Sequence, residues 1–137
     1  IELLLICLML SGLVVFGIIS IRDWQDRKYD QQRQRDIISI QQVLEKYFAQ
    51  KERYPTLEQI NTAAWRTKEL PKLLSTDTTD PQGTNWLMSS TAAKKIYAYQ
   101  PTTQNGQPCD NVTVDCMAYA VIATRSDGQT LTRNNYN

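Results

Sequence analysis

The feature that most constrains this chain is a run of 19 uncharged residues, Leu3 to Ile21, followed by 32 residues, Arg22 to Arg53, that contain neither proline nor glycine. As a helix the uncharged run spans about 28 Å, nearly the thickness of a hydrocarbon core. It reads as a transmembrane segment. A secretory signal peptide would begin with positive charge, carry a shorter apolar run and end at a small-residue cleavage site. Here the run starts after Ile1-Glu2 and ends at Arg22-Asp23-Trp24, so the segment is expected to stay in the mature protein. Mean hydropathy is nevertheless −0.44, so a very polar remainder offsets the apolar block.

Good helix formers dominate after the block, so one helix is expected to continue from about Leu3 to Arg53. From Arg22 to Asp36 five positive and four negative charges alternate at helical spacing, as in Arg22/Asp26, Asp23/Arg27, Asp30/Arg33 and Arg33/Asp36. Such pairs stabilise a helix by a few tenths of a kcal/mol each, and this stretch reads as a solvated stalk. Ile37, Ile40, Leu44, Tyr47 and Phe48 then fall on one face at i, i+3, i+4 spacing, a stripe against which a globular domain should pack. Tyr54-Pro55 ends the run. The sequence therefore divides into residues 1–21, membrane and core helix; 22–54, amphipathic continuation; and 55–137, a globular head.

In the head, Thr56-Leu57-Glu58-Gln59 has the form of a capping box, and Leu57, Ile60 and Ala64 suggest one short amphipathic helix ending before Pro71. Ser75 to Thr91 reads as a long loop around an Asp80-Pro81-Gln82-Gly83 turn. Strands are expected at Lys95–Gln100, Cys116–Thr124 and Gln129–Arg133, the last after a Ser126-Asp127-Gly128 turn, making a small antiparallel sheet. The fold class is α+β, a long N-terminal helix packed on that sheet.

The chain has no histidine, which excludes a Ser-His-Asp triad, a Cys-His pair and His-assisted metal centres. Its five glycines are too scattered for a nucleotide-binding loop. No cofactor, no metal site and no enzymatic activity are expected. Of the three cysteines, Cys7 lies in the apolar block, while Cys109 and Cys116 bracket a polar stretch. A disulfide closing that loop is the natural reading and implies an oxidising location. Two free thiols or half of a metal site is the alternative, with no third soft ligand nearby.

In order along the chain, an Ile1-Glu2-Leu3-Leu4-Leu5 start, an uninterrupted apolar run, a helical extension with a second apolar stripe, and a small sheet with a C-terminal cysteine pair resemble the type IV pilins and their pseudopilin relatives. Tyr54-Pro55 leading to Leu57, and Asp80-Pro81-Gln82-Gly83 before Tyr97-Ala98-Tyr99, are weaker likenesses. The resemblance implies the pilin fold and a structural subunit of a surface filament serving adhesion, twitching motility or DNA uptake. It implies a single-pass precursor in the cytoplasmic membrane, cleaved and N-methylated by a prepilin peptidase, handed to inner-membrane assembly machinery and polymerised with identical copies into an extracellular pilus. The family's glutamate follows a phenylalanine and a few more residues, so residues are expected ahead of Ile1.

Glu2 would then be the assembly residue, pairing with the N-terminal ammonium of a neighbouring subunit, because an unpaired carboxylate in the apolar bundle costs several kcal/mol. Many pilins carry a proline in the first helix; this chain has none before Pro55, leaving Gly12 and Gly17 as the possible weak point. The alternatives are a minor pilin or pseudopilin of a type II secretion or competence machine, and a single-pass membrane-anchored binding domain. Residues 54–137 hold seven Lys plus Arg against seven acids, so no specific nucleic-acid site is expected. Arg22, Arg27 and Lys28 would favour a cytoplasmic head by the positive-inside rule, but a long domain translocates largely regardless of charge, and the disulfide argues for the outside.

Overall fold

The computed structural model describes residues 2–136, and their side chains apart from those at positions 3–6, 8 and 13–20. With nothing in the sequence to break it, the N-terminal half forms one helix, α1, Glu2–Lys51. It passes unbroken through Gly12 and Gly17 in this single copy. It is about 75 Å long at the usual rise. It stops two residues earlier than expected. Glu52 adopts a left-handed conformation (φ 58°) while its N–H still donates to the Phe48 carbonyl at 2.7 Å, a left-handed helix cap that turns the chain before the proline acts. Tyr54 N–H then donates to the Cys116 carbonyl at 2.7 Å, tying the end of the helix to the sheet side.

Thr56 caps α2, Leu57–Asn61, through both halves of a capping box: its Oγ1 accepts from Gln59 N–H at 3.2 Å, and Gln59 Oε1 accepts from Thr56 N–H at 2.9 Å. The single helix expected here is two. Thr62 is extended (φ −91°, ψ 111°) and separates α2 from α3, Ala63–Glu69. Its hydroxyl donates back to the Glu58 carbonyl at 2.8 Å, the local competition with helical bonding typical of threonine.

Three strands follow, β1 Ala98–Thr102, β2 Ala118–Thr124 and β3 Thr130–Asn134, antiparallel in the order β1-β2-β3. Tyr99 lies opposite Val121, and Val121 opposite Arg133. The first strand begins three residues later than the alternation of Lys95–Gln100 suggested, because Lys95 is left-handed (φ 64°) in a tight turn between Ala93 and Ile96. The second begins at Ala118, two residues after the cysteine. Alternation along β2 buries Tyr119, Val121 and Ala123.

That buried face meets one stripe of α1. Ile37, Ile40, Leu44 and Tyr47 are buried and Phe48 is half-buried in a core shared with Tyr54, Ile60, Leu70, Tyr97, Tyr99 and Cys116. Fully burying an Ile or Leu side chain contributes about 1.5–3 kcal/mol, so this stripe fixes the head on the helix. The aromatic rings mesh: Phe48 stacks on Tyr54 at 4.5 Å, and Tyr54 meets Tyr119 edge-on at 4.6 Å.

The expected membrane span, Leu3 to Ile21, falls largely on residues whose side chains lie outside the description. Among the described residues, no helix is long and apolar enough to cross a membrane.

Candidate functional site

Helix α1 presents two different surfaces, and the head divides them. Among the described residues, Arg33 is the first from the N-terminus that the head buries. Before it the helix projects. Glu2 is exposed in the first turn, where a carboxylate is favoured by the helix dipole. Met9, Leu10, Ile21 and Trp24 are 57–73 % exposed, and Cys7 is a free, exposed thiol. The projecting helix therefore presents large apolar side chains that the head does not cover.

The Arg22–Asp36 stretch is not a solvated stalk throughout. Arg33 is 2 % exposed and Asp36 9 %. The Arg33 guanidinium uses all five donors: Nε and Nη2 donate to Asp80 at 2.6 and 3.0 Å, Nη2 also to Gln82 Oε1 at 2.8 Å, and Nη1 to Asp30 at 2.8 Å and Ser126 Oγ at 3.2 Å. A bidentate guanidinium–carboxylate pair is geometrically specific as well as strong. Three parts of the chain thus converge on one side chain: α1, the Asp80-Pro81-Gln82-Gly83 turn and the turn after β2. The first of these turns is itself tight. Gly83 N–H donates to the Asp80 carbonyl at 2.8 Å, and a Cβ on Gly83 would collide with the Lys95 carbonyl.

Two carboxylates of α1 in this knot titrate in opposite directions. Burial pushes Asp30 up, but bonds from Ser126 N–H and from Arg33 outweigh it and hold the carboxyl below its ordinary value. Burial, reinforced by the like charges of Asp77 and Asp80, pushes Asp36 up despite the 2.7 Å bond it accepts from Tyr97 O–H. Further along, Glu45 accepts from Tyr54 O–H at 3.1 Å and Tyr119 O–H at 2.8 Å, and burial first, then this carboxylate, raises both phenols.

At the far end of the head, Cys109 and Cys116 form a disulfide with a Cα separation of 5.2 Å. This settles the choice against free thiols or a metal half-site. Inside the loop the Asp110 carboxylate accepts from the N–H groups of Val112, Thr113 and Val114, which holds it well below the usual carboxylate range. Asn111, left-handed at φ 59°, donates to the Tyr54 carbonyl at 2.7 Å and accepts from Cys116 N–H at 2.8 Å. Val112 and Val114 project from the tip.

The structure does not bring Glu2, Gly12 and Gly17 near the disulfide; they lie on the projecting helix. The stripe Ile37, Ile40, Leu44, Tyr47 and Phe48 is in the core. Sequence reasoning missed Arg33, Asp80, Gln82, Ser126 and Gln41, whose side-chain N–H donates to the Asn134 carbonyl at 2.6 Å. One signal for Arg33 existed: it precedes Ile37 by four residues and so continues the apolar stripe by one turn. Among the described residues, no group of three or more His, Cys, Asp or Glu side chains is placed to hold a metal ion. The buried polar groups just described are engaged internally. No family model, curated protein or solved structure matches this chain.

Proposed function

We propose that the chain is a filament-forming structural subunit of the type IV pilin kind, anchored in the membrane by residues 3–21 before assembly and polymerised through the same helix afterwards. The observation that carries this reading is the projecting half of α1. A helix with Met9, Leu10 and Ile21 exposed is unfavourable in water, and a bilayer or a bundle of identical helices removes that surface. A disulfide fits an oxidising location outside the cytoplasm. Glu2 is the one Asp, Glu, Lys or Arg among residues 1–21, and an acid at that depth is costly unless paired. It sets the stagger between copies.

The test is Glu2→Ala in the producing cell. The variant should accumulate in the membrane at the wild-type level while filaments, counted by electron microscopy, are lost or sharply reduced. Normal filament numbers at equal protein level would remove Glu2 from assembly. Antibody against the head should label filaments continuously; label confined to tips would favour the minor-pilin or pseudopilin form of the reading.

A further inference from the structure

Two tight turns of the head meet beside α1 just past the uncharged run. Lys94 and Lys95 form the tip of the first, between the bridged residues Ala93 and Ile96. The left-handed Lys95 has its carbonyl where a Cβ on Gly83 would sit. That turn is thereby fixed against the one Arg33 clasps. Arg125 opens the second turn, its carbonyl accepting from Gly128 N–H at 3.0 Å. Lys94, Lys95 and Arg125, with Gln82, Ser126 and Asp26, line a cleft of about 200 Å³.

Two cations of the cleft have no acidic partner among the described residues: Lys94 and Lys95 are exposed and form no ion pair there. Arg125 Nε is buried with no hydrogen-bond partner, and it is the one such side-chain atom among the described residues. It stands 3.5 Å from Asp30 Oδ2 and 3.9 Å from Asp127 Oδ2, ion-pair contacts too long for a good hydrogen bond, while Arg33 and Ser126 hold the other oxygen of Asp30, Oδ1. Of the carboxylates, only Asp26 lines the cleft itself. A phosphate in the cleft would be attracted by the charges of Lys94, Lys95 and Arg125, which line it.

Height along the helix selects the anion. The cleft borders α1 from Asp26 to Arg33, so its lower edge, five residues past Ile21, stands about 7–8 Å along the axis. The headgroup layer on each side of a hydrocarbon core is about 5–8 Å deep. Trp24 is 60 % exposed between these points, with Lys28 Nζ 4.7 Å from its ring, the level at which amphipathic rings settle. We infer that this cleft seats the phosphates of anionic lipid headgroups, so that the head rests on the leaflet before the subunit is assembled. The inference depends on the membrane-anchored stage of the proposed function. Each cation near an anionic leaflet strengthens the attraction about fivefold.

The experiment places the full chain in nanodiscs of phosphatidylcholine alone and of phosphatidylcholine with phosphatidylglycerol, and follows backbone hydrogen exchange at residues 93–97 and 125–129. Exchange there should be slowed about tenfold or more in the anionic discs. Lys94→Gln/Lys95→Gln/Arg125→Gln should abolish the difference, with continued protection at 37–48 reporting an intact head. Lys94→Gln/Lys95→Gln alone, which spares Arg125, should remove most of it, and Lys46→Gln/Lys72→Gln should leave it unchanged. Equal exchange in both discs, or loss of the difference in the Lys46/Lys72 control, overturns the inference alone. The same protection produced in detergent by millimolar inorganic phosphate overturns the lipid reading in favour of a free-phosphate site. A chain that inserts into neither disc overturns the anchor and the inference together.

Discussion

The two halves of α1 share one backbone and similar charge chemistry, yet the head makes them opposites. Between Arg22 and Lys28 the charged side chains lie mostly in the open. Between Asp30 and Asp36, Arg33 and Asp36 are buried and Asp30 is half-buried, while Arg35 stays exposed, and Arg33 is bonded to Asp80, fully 47 positions away. A surface ion pair contributes about 0–1 kcal/mol, whereas a buried one leaves an uncompensated charge when either partner is lost. Spacing of charges along a helix says that they can pair locally. It does not say whether water will still be present when they do.

The sharpest way to break this contrast is to replace one arginine in each half. Arg33→Leu should cost about 3–5 kcal/mol, because Asp80 and Asp30 lose their buried partner. Arg27→Leu, on the projecting helix, should stay within about 0.5 kcal/mol. Urea unfolding of the head, followed by circular dichroism, measures both; similar midpoints would show that the buried clasp contributes no more than a surface pair.

Cysteines give the next largest separation. Cys109→Ser/Cys116→Ser should lower head stability by about 2–3 kcal/mol on the chain-entropy estimate for so short a loop. Cys7→Ser should leave the head unchanged. Comparing reduced and oxidised wild type by the same unfolding curve checks the first figure without mutation.

A pair of glycines sharpens the comparison at the backbone. Gly83→Ala forces a methyl against the Lys95 carbonyl and should cost about 1–3 kcal/mol, the usual penalty of overpacking. At Gly12 nothing lies within 4 Å of an added Cβ, so Gly12→Ala should favour the helix by about 1 kcal/mol and leave the head's midpoint where it was.

The smallest effect is the most diagnostic, because two carboxylates on one helix should respond to pH with opposite sign. The folded pKa of Asp30 lies below its ordinary 3.8, so its stabilisation is present above that value and is lost as pH falls through the folded pKa. For Asp36 the folded pKa lies above 3.8; its favourable contribution belongs to the protonated form, present below 3.8 and lost as pH rises through the folded pKa. At pH 7 Asp30→Asn should therefore destabilise and Asp36→Asn, which can still accept from Tyr97, should stabilise. Both differences should shrink towards pH 3. Midpoints that shift in the same direction at pH 7 would refute the assignment.

Much of the architecture was legible because it depends on local rules. The absence of breakers from Arg22 to Arg53 announced a long helix, and Thr56 with Gln59 announced a cap. The boundaries were less legible, since they turn on single residues whose conformation the rest of the molecule imposes. Glu52 and Lys95 are both left-handed without being glycine, and no propensity would have placed a glutamate or a lysine there. The head's polar knot was illegible for a related reason. Asp80 read as a turn former, which it is, but its second role depends on a turn being laid against a helix far away in the chain.

By itself the sequence determined the long helix, the apolar stripe from Ile37 to Phe48 and the sheet that covers it, because periodicity and chain breakers act over a few residues. Tertiary structure alone decided which charges of α1 are buried, that Arg33 draws three segments together, and that Lys94, Lys95 and Arg125 border one cleft. Those outcomes require residues distant in sequence to meet where water is excluded, and pairing across such distances is set by packing of the whole head.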